Sequence, residues 1–153
     1  MAVWMNVTSA GQNSRALISA IQAKGRKVGS FAVDLMSKPA FSTTKGVAYS
    51  LAVIRGDELS PSDLTFDKII KAGKSRGLTM PPAEVAGLLA QRSQSELGFQ
   101  SLVVMFEPIR TSDESLCVLN IMKSNSGGEA LYTCGTGKDC PFKKEDVFVF
   151  LTK

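Results

Sequence analysis

The sequence contains no histidine, three cysteines and one tryptophan among 153 residues. Without histidine there is no imidazole general base at neutral pH, no Ser-His or Cys-His nucleophile pair and no histidine-bearing metal site. An enzyme built on this chain would have to rely on carboxylate, lysine, tyrosine or cysteine chemistry. The cysteines, Cys117, Cys134 and Cys140, form an odd and sparse set. That argues against a secreted disulfide framework and for a reducing compartment. No apolar run approaches the roughly 20 residues that span a bilayer. The opening MAVWMNVTSAG has neither the basic nor the long apolar region of a secretory signal. Residues 1–33 contain no acid, as a transit peptide would, but Val28 onward reads as core. A cytoplasmic chain with no membrane segment is therefore expected.

What is present is enough apolar sequence for one domain, 1–153, that folds without metal or cross-links. The stretch Leu78–Ile109 organises it. Pro81 and Pro82 suit a first helical turn, and Glu84 complements the positive end of that helix. Val85, Leu88 and Leu89 then give an apolar face, and Gly98 breaks the chain. Leu102–Phe106 is apolar at every position, as in a strand covered on both faces, and Glu107-Pro108 is expected to end it.

Elsewhere the patterns alternate. A short first strand is read at Val3–Val7, and a helix with Leu17, Ile18 and Ile21 runs from Asn13 or Ser14 to Gly25. Phe31, Val33 and Leu35 alternate with Ala32 and Asp34, which predicts a strand in hairpin with Val47–Val53. Phe66, Ile69 and Ile70 mark a helix stopped by Gly77. Strands are read at 116–121, 129–134 and 147–151, with a turn at 124–128. The predicted fold is α+β: a mainly antiparallel sheet of five to seven strands with about three helices packed on one face.

Chemistry-bearing motifs are few. The acidic pairs Asp57-Glu58, Asp113-Glu114 and Glu145-Asp146 lie in predicted turns, with nothing nearby in sequence to desolvate them, and read as solvated turn charges. The segment Cys134–Cys140 (CGTGKDC) lacks the first glycine and the Ser or Thr of a phosphate loop, and it offers only two thiolates to a metal. Arg55-Gly56-Asp57 spells a receptor-binding tripeptide at chance-level length. No metal, cofactor or catalytic residue is assigned.

Charge is more informative. The formal net charge is +4, and residues 1–60 carry seven basic against three acidic side chains, whereas the rest balances. Two basic clusters follow, Lys24, Arg26 and Lys27 after the first helix, and Lys68, Lys71 and Lys74 along the next. These six are the candidate binding residues. Two helices followed by two strands also resembles the element order of a winged helix, although the second helix offers only Arg92 as a base. By elimination the expected function is a non-catalytic cytosolic binding or regulatory module acting on a protein partner or on itself. Nucleic-acid binding through the basic N-terminal third and the Lys68–Arg76 helix is the alternative, and cysteine or carboxylate enzymology the third. Convergence of the two clusters on one face would favour nucleic acid.

Overall fold

Leu102–Phe106 lies at the centre of the molecule, with no residue in it more than 1% exposed. The computed structural model describes residues 2–123 and 128–152. The chain forms strands β1 (Met5–Ala10), β2 (Lys27–Val28), β3 (Lys45–Arg55), β4 (Ser101–Arg110), β5 (Leu116–Lys123), β6 (Glu129–Gly135) and β7 (Val147–Leu151). Helices are α1 (Ser14–Ala23), α2 (Ser30–Met36), α3 (Phe66–Ser75), α4 (Glu84–Leu89) and α5 (Gln94–Leu97). The strands make one sheet in the order β1-β3-β7-β4-β5-β6-β2. The α+β fold is therefore as expected, and the sheet is mixed: β7 runs parallel to β4 and β2 parallel to β6, while the other pairs are antiparallel. The turn read at 124–128 falls, apart from Gly128, outside the described residues.

Helix ends follow local chemistry. Asn13 caps α1 by accepting the Ala16 N–H at 2.9 Å. Ser93 and Glu96 form a reciprocal capping box on α5, and Gly98 ends it at φ +78°.

The helices divide between the two faces rather than sharing one. Tyr49 and Ala52 are three residues apart on β3 and so point to opposite sides. Tyr49 bonds to Glu84 of α4. Ala52 is in register with Phe150 of β7, and α3 lies against the Phe150 ring at Gly73. A Cβ at Gly73 would stand 2.5 Å from that ring, so the glycine sets how closely α3 approaches the sheet. On the other side α1 packs on α4, with Leu17 facing Gly87. Because α3 and α4 are separated by the sheet, they do not form the helix pair of a winged helix.

Three local expectations are corrected. Residues 30–36 are the helix α2, not a strand: Ala32, Leu35 and Met36 are buried while Phe31 and Val33 are exposed, which is helical and not alternating burial. The hairpin expected with 47–53 is accordingly absent, and β3 pairs with β1 and β7. Glu107-Pro108 does not end β4. The ladder to β5 shifts register between Val104 and Ile109, which accommodates the missing proline N–H, and the strand continues to Arg110.

Two substitutions test this packing by chemical denaturation. Val104→Ala is expected to cost about 2 kcal/mol, because its neighbours on both sides are fixed strands. Gly73→Ala is expected to cost about 1–3 kcal/mol by pushing α3 off Phe150. A loss below about half a kcal/mol in either variant would contradict the packing described.

Candidate functional site

The two basic clusters do not converge as groups. Lys27 is exposed on the edge strand β2, in register with Ala130. Lys24 is exposed at the end of α1, on the α1–α4 side. Lys68, Lys71 and Lys74 are exposed on α3, across the sheet, with Lys68 donating to the Ser62 carbonyl at 2.9 Å. Arg26 leaves the surface altogether, at 2% exposure. Its guanidinium donates to the carbonyls of Ala90 and Arg92 and to Gln94 Oε1, and it pairs with Glu129 at 3.3 Å. It therefore satisfies the carbonyl end of α4 while tying β6 to it. Burial pulls its pKa down and Glu129 opposes that. Its Nε is buried and without a hydrogen-bond partner among the described residues.

A second buried charge is Glu84, in the first turn of α4 as expected and also 2% exposed. Its carboxylate accepts from the Thr44 N–H at 3.0 Å, the Thr44 hydroxyl at 2.6 Å and the Tyr49 hydroxyl. Burial and the bond to Glu84 raise the Tyr49 pKa. Every oxygen of the carboxylate is engaged with the protein, so this cluster is a tether between α4 and the strand β3, with no free valence for a substrate.

The feature with free valences is a cleft of about 560 Å³ over β5 and β6. It lies on the α3 side of the sheet but beyond α3. Asn120 and Tyr132 are in register and supply its floor with Met122 and Cys134. One wall is the first turn of α2, and the other is the loop after β6, where Phe142 packs edge-on against Phe148 with centroids 5.3 Å apart. Asn120 Nδ2 donates to Ser101 Oγ at 3.0 Å, and Ser101 donates to Asp146 Oδ1 at 2.7 Å. Asp146 Oδ2 accepts the Lys143 N–H at 2.9 Å, which anchors the wall. Ser101 is thus aligned between a carboxamide donor and a carboxylate acceptor. Tyr132 and Phe31, 45% and 60% exposed, flank the opening.

Sequence reasoning passed over this cleft, though one signal was present: Asn120 is the polar residue inside the otherwise apolar Cys117–Ile121. The cysteines are free thiols. Burial pushes Cys134 up to about 12 and also raises Cys117, the reverse of what a nucleophilic thiol needs. Among the described residues no three His, Cys, Asp or Glu side chains are grouped to hold a metal. The Arg55–Asp57 tripeptide closes on itself, with Arg55 Nη2 2.6 Å from Asp57, and Gly56 is required because a Cβ there would meet the Lys143 carbonyl at 2.6 Å.

Two measurements follow. Arg26→Ala is expected to cost about 2 kcal/mol or more by stranding the Ala90 and Arg92 carbonyls, and Arg26→Lys to restore only part of it, since one ammonium nitrogen cannot serve both these carbonyls through Nη1 and Gln94 and Glu129 through Nη2. In thiol labelling of the native chain near pH 8, exposed Cys140 should react first, with Cys117 and Cys134 far behind. For Cys134 the folded pKa exceeds the ordinary thiol value of 9, so its contribution to stability falls as pH rises from 9 toward 12. Fast labelling of Cys134 in folded protein would contradict its placement. Comparison of the chain with family models, curated proteins and solved structures returns no match, so its functional reading rests on this geometry.

Proposed function

We propose that this chain is a non-catalytic binding module of the cytoplasm that engages a protein partner through the cleft over β5 and β6. The observation that carries the reading is an open half of the sheet face, floored by Asn120 and Tyr132 and flanked by two exposed aromatics. Aromatic and methionine side chains around a few oriented polar groups are the composition of an interface centre. Asn120 is 8% exposed and spends one amide proton on Ser101, and its remaining carboxamide valences suit a peptide group. The reducing compartment fits three free thiols. Among the described residues no helix is long and apolar enough to cross a membrane.

Nucleic-acid binding is the second reading, favoured by the exposed row Lys68, Lys71 and Lys74 on α3. It draws less support from the other cluster, because Arg26 is buried, Lys24 lies across the sheet and Lys27 stands on the edge strand β2, four strands from the β7 against which α3 packs. An enzyme working through thiol chemistry draws little support, because burial raises the pKa of both Cys117 and Cys134.

The readings part in two titrations. Peptides selected from a random display library on the folded chain should lose about ten-fold or more in affinity to Tyr132→Ser, a surface change that leaves the fold intact. Selected peptides indifferent to Tyr132→Ser would sink the cleft as the binding surface. Duplex DNA and RNA should bind weakly at two salt concentrations. Tight binding with a log-log salt slope of about −0.9 per phosphate contact, lost in a Lys68, Lys71 and Lys74 to Ala variant, would put nucleic acid first.

A further inference from the structure

The two edges of the sheet are treated differently. At one edge, β1 turns the Asn6 carbonyl outward, and Arg92 Nη2 covers it at 3.3 Å. At the other, β2 covers β6 for two residues only, pairing Lys27 with Ala130 and Val28 with Leu131. Gly29 N–H then donates to the Leu131 carbonyl at 3.0 Å, and the chain turns away into α2 at Ser30. Among the described residues, therefore, no strand pairs with the outer side of Tyr132–Gly135.

Backbone polarity along this segment follows from alternation. The outward Leu131 carbonyl places the N–H and C=O of Thr133 and Gly135 outward as well. Thr136 N–H turns inward, to the Leu116 carbonyl at 3.2 Å, as the same alternation requires. The stretch YTCG, with Tyr132 exposed and Thr133–Gly135 half-buried, carries no charged side chain and no proline, the usual protections of a free edge.

Hollows lie on both faces beside this edge, and Thr133 and Phe31 line both of them. On one face is the cleft with Tyr132, Asn120 and Met122. On the other is a smaller hollow of about 180 Å³ with Thr111, Asp113 and Cys117. Asp113 is fixed there by the Thr111 hydroxyl and by the Ser115 N–H at 3.2 Å. An added strand sends alternate side chains to opposite faces, and so into these two hollows in turn.

We infer that the open edge of β6 at Thr133–Gly135 receives an extended segment of a partner protein as an eighth strand, with an apolar or aromatic side chain in the cleft and a neighbouring Lys or Arg at Asp113. This rests on the protein-partner reading of the cleft and adds how the partner is held. Backbone bonds to Thr133 and Gly135 supply strength that does not depend on the partner's sequence. The cleft and the exposed carboxylate of Asp113 supply selection.

The test is Thr133→Pro. Proline removes an N–H that gives nothing to β5, so the β5–β6 ladder survives, while an added strand loses its donor and meets the ring. Eight-residue peptides selected by display on the full chain should alternate apolar with basic residues and bind Thr133→Pro about ten-fold or more weakly. Amide exchange in the unmodified chain should slow at Thr133 and Gly135 when the peptide is added, a readout that stands even where the proline variant folds poorly. Peptides that need Tyr132 yet leave both amides unprotected overturn strand addition while the cleft reading stands. Selected peptides indifferent to Tyr132→Ser and Thr133→Pro overturn both. Concentration-dependent dimerisation that protects the same amides without peptide would assign the edge to a second copy and overturn the partner segment.

Discussion

The insertion of β7 between β3 and β4 is the constraint on which the rest of the fold depends. Its five residues accept β3 on one side and β4 on the other, and without them the sheet would be two separate ribbons, β1-β3 and β4-β5-β6-β2. All of Val147–Phe150 is buried. Phe150 receives α3 on one face, while Val149 lies in register with Val104 beneath the helices of the other. The helices are thus split between faces because the strand that joins the halves is apolar on both sides.

Around that joint, two buried charges fix the helical layer. Arg26 holds the carbonyl end of α4 to β6, and Glu84 holds its start to β3 through Thr44 and Tyr49. A helix of six residues has little stability of its own, so tethers at both ends matter more here than they would for a long helix. Glu84 is satisfied by three donors, which offsets its desolvation; Arg26 is satisfied less completely, at Nε.

Much of this was legible in sequence, and the failures share a cause. The continuous apolar run of β4, the α3 periodicity and the glycine stop at Gly98 are local signals, and each lies where it was read. Residues 30–36 satisfied two periods at once, and tertiary burial of Ala32, Leu35 and Met36 chose the helical one. Arg26 looked like one of three solvated cations because its acceptors are more than 60 residues away. Glu84 resembled an ordinary first-turn acid for the same reason, its donors lying 35 and 40 residues distant. The cleft was invisible as a site because Ser101, Asn120, Tyr132 and Asp146 meet only once β4, β5 and β6 are in register. Asn120 alone carried a trace, as a polar residue in an apolar strand.

The two-residue hold of β2 on β6 also grades the molecule's resistance to opening. At Leu102–Val104 and Val147–Val149 the centre is buried and paired on both sides, so its amides are expected to exchange last. The β2 end is held by two register pairs, one backbone bond from Gly29 and the Arg26–Glu129 pair. Fluctuations that peel β2 from the sheet therefore lie low on the free-energy ladder. They would lengthen the bare edge of β6 from four residues toward its full length, while the core stays closed and the chain remains native everywhere else.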